Sequence, residues 1–139
     1  MLERVLIVAG FAAVMIAAWM LYNRWTLRRL ATRAPVDPLL ADVAQGTPTI
    51  VYFSTPFCAP CKTQQQPVLA ELETLLGPEL RIVRVNAAED TAASTRWGVF
   101  SAPTTFVLDG HLRPQYVNRG VASLAVLRKQ IEAAMQRVS

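Results

Sequence analysis

Three rhythms of apolar and polar positions divide this chain. From Val5 to Leu21 it reads VLIVAGFAAVMIAAWML, with no charged or strongly polar side chain. As a helix this run is about 26 Å long at ~1.5 Å per residue, the short end of what a bilayer needs. Thr49 to Phe53 (TIVYF) is β-branched and aromatic without alternation, which predicts a strand buried on both faces. Val68, Leu69, Leu72, Leu75 and Leu76 recur at helical spacing, and Gly77-Pro78 ends that helix.

Further along, Leu80–Val85 reads as a second strand, Asp90–Trp97 as a helix ended by Gly98, and Thr104–Leu108 as a third strand. Asp109-Gly110 signals a hairpin turn, with Gln115–Val117 as the returning strand. Ser123 is placed to cap a last helix whose stripe is Leu124, Leu127, Ile131 and Met135. Ala34-Pro35-Val36-Asp37-Pro38 reads as a linker, because prolines interrupt a helix, and Leu39–Ala44 as a short helix ended by Gly46. The domains expected are residues 1–35, a membrane anchor with a basic juxtamembrane segment, and residues 36–139, a globular domain. Its β-α-β start makes the first two strands parallel, and the hairpin makes the last pair antiparallel.

Charge sharpens this division. Arg4, Arg24, Arg28, Arg29 and Arg33 against Glu3 carry the whole net charge of +4, so the segment after residue 35 is neutral. A neutral domain offers no basic face for nucleic acid. Bulky Trp19, Met20, Leu21 and Tyr22 follow the apolar run where a cleaved signal peptide would have small residues. Trp19, Tyr22 and Trp25 gather at one end, as an interfacial belt does, which favours an uncleaved single-pass anchor. A cleaved signal and a buried core helix are the rival readings. Arg24, Arg28, Arg29 and Arg33 behind the run favour a cytoplasmic domain by the positive-inside rule, with the extracytoplasmic side as the alternative.

Candidate chemistry centres on STPFCAPCK, which contains the two cysteines of the chain, Cys58 and Cys61. Two intervening residues put both thiols on the first turn of a helix. Unpaired N–H groups and the positive end of the dipole there favour a thiolate on the first cysteine. Pro60 suits that first turn, and Lys62 adds a positive charge. Two cysteines and His111, in a turn, fall short of the four ligands of a structural zinc site. A purely structural disulfide over so short a loop would restrain the unfolded chain little. His111 reads as a solvated turn residue, and Gln64-Gln65-Gln66 as the wet face of the helix. Thr55, three residues before Cys58, resembles a peroxidatic Thr-x-x-Cys site, but Val51 stands where that motif has proline.

From Thr47 to Met135 these features resemble the thioredoxin family. CAPC resembles the family's C-x-P-C site, Val85-Asn86 the end of its next parallel strand, and Trp97–Thr104 (WGVFSAPT) its YGV-x-x-x-PT segment; Gly120 resembles the glycine after its last strand. The resemblance implies an α/β, thioredoxin-like fold: a mixed four-stranded sheet flanked by helices, here with one N-terminal transmembrane helix. It implies a thiol–disulfide oxidoreductase with Cys58 and Cys61 as catalytic pair and no cofactor or metal. It further implies a cis Ala102–Pro103 bond, with Phe57, Ala102 and Pro103 at the substrate groove. The partners implied are protein thiols or disulfides and a redox partner. A redox-sensing or client-binding module with little turnover is the alternative.

Four departures stand out. Phe57 replaces the usual tryptophan. Tyr52 stands where the family has a buried aspartate that helps deprotonate the second cysteine. Pro67 lies one position later, relative to Cys61, than the family's helix-kinking proline. The family's first strand has no counterpart before Thr49.

Overall fold

The structure, a computed structural model, describes residues 1–33 and 37–136. The break expected at Ala34-Pro35-Val36 lies outside the described residues. The chain opens on a long helix, α1 (Leu2–Arg33), and a single 3₁₀ turn at Pro38–Leu40. It continues through β1 (Thr49–Ser54), a π-helical turn at Cys61–Gln65 that runs into α2 (Gln66–Leu76), β2 (Arg81–Asn86) and α3 (Thr91–Trp97). The hairpin β3 (Thr104–Leu108) and β4 (Pro114–Arg119) and the helix α4 (Leu124–Gln136) complete it.

The strands form one mixed sheet in the order β2-β1-β3-β4. The β1 and β2 strands are parallel, Thr49 opposite Arg81, while β1 with β3 and β3 with β4 are antiparallel. As its unbroken apolar run predicts, β1 is central and buried on both faces. Two clusters sandwich it. One holds Ile50, Tyr52, Cys58, Cys61, Leu69, Leu72, Leu127 and Ile131, under α2 and α4. The other holds Val51, Phe53, Ala93, Trp97, Phe106, Leu108 and Leu112, and recruits Leu30 from α1 and Leu40.

Helix ends follow local chemistry. The Asp90 carboxylate accepts the Ala93 N–H, and Gly98 ends α3 with a left-handed φ of 67°. The Ser123 hydroxyl accepts the Val126 N–H at the start of α4 (3.3 Å).

Several sequence expectations need correction. The short helix expected over 39–44 shrinks to the turn Pro38–Leu40, which Asp37 caps by accepting the Leu39 N–H. Leu75 and Met135 are exposed and Ala134 is buried in α4, because helical geometry turns those side chains just past the sheet. The hairpin turn takes five residues, not two. The Asp109 carboxylate accepts from the His111 and Arg113 N–H groups and the Gln115 amide, holding a wider loop. The left-handed residue of that loop is Leu112 (φ 61°), whose side chain is buried.

The N-terminal helix divides in two. From Leu2 to Tyr22 every side chain is exposed, so the helix is not a core helix of this domain. Below that, Thr26 and Leu30 are buried against the domain. A Cβ on Gly98 would lie 3.9 Å from the Thr26 methyl. This apolar helix is compatible with a membrane anchor or a signal sequence.

Candidate active site

The strand β1 delivers the chain to Thr55, and a turn closed by the Cys58 N–H on the Thr55 carbonyl (3.2 Å) sets Cys58 at the helix start. Cys58 and Cys61 form a disulfide, S–S 2.07 Å. Cys58 Sγ also accepts the Cys61 backbone N–H (3.1 Å), doing for this helix what an N-cap oxygen does elsewhere. Cys61 is fully buried, whereas Cys58 keeps 8% of its surface in contact with solvent. Any approaching sulfur therefore meets Cys58.

A groove of about 580 Å³ runs past Cys58. Thr55, Phe57, Ala59 and Pro60 form one wall, and Ala87, Ser94, Val99, Phe100, Ser101 and Ala102 the other. None of these side chains is charged. Phe57 and Phe100 stand out from it, 93% and 79% exposed. The Ala102–Pro103 bond is cis. Ala102 lines the groove, whereas Pro103 is buried behind it with its carbonyl accepting the Gly120 N–H (2.8 Å). Gly120 holds the positive φ (102°) that its place after β4 requires.

Tyr52 is buried, and its hydroxyl donates to the Cys61 carbonyl oxygen over a long 3.5 Å. Burial pushes its phenol above the ordinary value, against the opposing effects of Ser54, Gln66 and Arg84. A carboxylate here could take up a proton at neutral pH; this phenol, already protonated there, cannot.

Two features escaped sequence reasoning. The first is Gln65, which was expected on a wet face and is fully buried. Its Oε1 accepts the Ala122 N–H (2.8 Å), and its Nε2 donates to the Ala122 carbonyl (3.2 Å). That paired clamp ties the active-site helix to the segment between β4 and α4. The π-helical turn at Cys61–Gln65 explains how both survive. A π turn holds one residue more than an α turn. It absorbs the extra residue between Cys61 and Pro67, so Leu69 and Leu72 still face the core. The late proline was the available signal.

The second feature is Arg119. Its Nη1 donates to the Gly98 carbonyl (3.1 Å) and its guanidinium lies 5.9 Å from the Phe100 ring centre. It thereby braces the far wall of the groove.

On the opposite face, Asp37 accepts from Arg96 (3.1 Å) and from the Trp97 indole N–H (3.1 Å). Burial alone would raise its pKa, but the bonds from Arg96, Leu39 and Trp97 outweigh burial and hold the carboxyl below the usual range.

The family model for thioredoxin matches residues 37–133, the sheet and the helices packed on it. The chain belongs to the thioredoxin family. It is 37% identical over 73 residues to a thioredoxin of Bacillus subtilis, covering 52% of this chain and 68% of that one. With a thioredoxin of Rhodospirillum rubrum it shares 34% over 77 residues, covering 55% and 69%. In fold it is similar to a thioredoxin-2 described as a component of malaria parasite protein secretion machinery (TM-score 0.59, 21% identity, 63% of this chain and 82% of that one). The protein is thus a thioredoxin-type thiol–disulfide oxidoreductase with a redox-active CxxC pair. Within this thioredoxin-family site, Tyr52 and Phe57 are the departures noted in the sequence, and the π turn accommodates the late Pro67.

Proposed function

We propose that this protein is a membrane-anchored thiol–disulfide oxidoreductase that exchanges disulfides with protein substrates through Cys58 and Cys61. The observation that carries the reading is the disulfide at a helix start with only Cys58 open to a neutral groove. In the reducing direction the Cys58 thiolate attacks one sulfur of a substrate disulfide. That S–S bond breaks, the other sulfur leaves as a thiol, and a mixed disulfide forms. Cys61, deprotonated, then attacks Cys58 Sγ and releases the second substrate thiol. Two electrons pass to the substrate, and the Cys58–Cys61 bond returns. The helix N-terminus and the Cys61 N–H favour the Cys58 thiolate. Phe57 and Ala102 contact the substrate, and Pro103 shapes the loop behind Ala102. No cofactor is required.

The anchor reading draws support from α1. Its apolar part is exposed and runs in one unbroken helix into a segment buried in the domain, so an uncleaved chain would carry the domain directly on its membrane span. The four arginines that follow favour the cytoplasmic side. Alkaline phosphatase fused after Ser139 tests this side, and enzymatic activity there would place the domain outside.

Turnover of insulin disulfides by the full chain in detergent, with dithiothreitol as electron source, tests the function. Tyr52 beside Cys61 favours one second reading, a client trap in which no carboxylate assists release. Stoichiometric mixed disulfide without turnover would select the trap.

A further inference from the structure

Anchor and disulfide lie at the same end of the molecule. Followed backwards from its C-terminal end, α1 climbs toward the active site. Leu30 enters the Trp97 and Leu112 cluster. One turn earlier Thr26 sits against Gly98. Tyr22 and Trp25 share a pocket with Phe100. Trp19 and Asn23 share another with the segment from Gly120 to Ser123. Phe100 also lines the groove beside Cys58, and Gly120 bonds to Pro103. Each step toward Met1 therefore moves toward the sheet end where β1 and β2 finish and β3 begins, and away from the turn at His111. Leu21, the last residue of the apolar run, precedes Thr26 by about 7.5 Å of helix.

We infer that the groove faces the bilayer surface, and that its substrates are cysteines in the juxtamembrane segments of integral membrane proteins. This rests on the anchor reading of α1. The dock at Thr26 and Leu30 holds the disulfide end within about a helix turn or two of the headgroups. A soluble substrate must enter through that narrow gap, whereas a cysteine pair leaving the membrane arrives at the right height. The chemistry of the groove matches, since its walls carry no charge and end in exposed Phe57 and Phe100. Electron flow is that of the exchange above, with the membrane protein's disulfide as acceptor.

Two measurements on the full chain in phospholipid vesicles test this. First, a fluorophore on Cys58 of the Cys61→Ser variant is compared with one on a His111→Cys substitution in a chain lacking both native cysteines. Nitroxide-headgroup lipids should quench the Cys58 label several-fold more. Second, the reduced wild-type protein is given single-span peptides bearing a two-cysteine disulfide. In one peptide it lies next to the apolar segment; in the other a 20-residue helical spacer raises it by about 30 Å. The near disulfide should be reduced at least about tenfold faster, as confinement at matching height predicts. Thr26→Arg, which undocks α1, should abolish that preference, while insulin reduction holds or rises as the gap opens. If Thr26→Arg does not fold, quenching in the docked chain still decides.

Equal or greater quenching at position 111 overturns the orientation. Strong quenching at Cys58 with equal rates for the two peptides overturns the substrate class and leaves a groove resting on lipid. Wild-type chain that does not float with the vesicles overturns the anchor reading itself.

Discussion

The two faces of the sheet are built by different means. On the cysteine face, α2 and α4 lay long apolar stripes across β1 and β3, and Leu69, Leu72, Leu127 and Ile131 are fully buried. On the other face, among the described residues, the only full helix of the globular segment is the seven-residue α3, and the cover is assembled from distant pieces. Trp97 packs on Phe53 and Phe106, Leu30 arrives from α1, and Asp37 reaches across to Arg96 and Trp97. Long helices can carry a core by periodicity alone. A short helix cannot, so that face depends on one large aromatic and on polar ties across the chain. The active site rests on the first face, and α1 docks on the second.

Trp97→Ala should break this comparison most severely. Removing a fully buried indole from a cluster with little else to close it should cost about 3–5 kcal/mol, read in urea unfolding. Leu72→Ala on the well-covered face should cost less, toward ~2–3 kcal/mol of the usual range. Equal losses would show that both faces are covered alike.

Gln65→Leu should come next. It leaves the Ala122 N–H and carbonyl without their partners, at roughly 1–3 kcal/mol for each group left unpaired. Because the clamp joins the cysteine helix to the start of α4, hydrogen exchange should rise at Ala122 and in the first turn of α4. Protection unchanged there would mean water replaces the clamp.

Asp37→Asn should cost about 1–2 kcal/mol at neutral pH, as the charged bonds from Arg96 weaken. The Asp37 carboxyl has a lowered pKa in the fold. Its contribution is therefore complete above the ordinary carboxylate range and is lost as pH falls through the folded value. The difference in stability between wild type and Asp37→Asn should close in acid; a gap independent of pH would assign the effect to packing.

The smallest effect belongs to Arg84→Ala. Its pair with Glu73 (2.6 Å) is half exposed on both sides, so salt and solvent should leave ~0–1 kcal/mol.

Much of this was legible in the sequence because it depends on neighbours in the chain. Periodicity located β1, β2, the hairpin strands and three helices of the domain. The spacing of Cys58 and Cys61 at a strand-to-helix junction, with Ala102-Pro103 and Gly120 downstream, marked the site and the family. These signals are local: strand and helix repeat at fixed periods, and a helix start needs its cap within one turn. What sequence could not tell was which polar side chains would turn inward and what would meet them. Gln65 reads as one of three equal glutamines, and only the π turn aims it at Ala122, 57 residues away. Leu112 and Arg119 are ordinary in their local context until the loop and the Phe100 wall form around them. The apolar run and its arginines announce a long apolar helix, compatible with a membrane anchor or a signal sequence. That the same helix continues into the domain and buries Thr26 and Leu30 there depends on contacts between residues far apart in the chain, which only packing brings together.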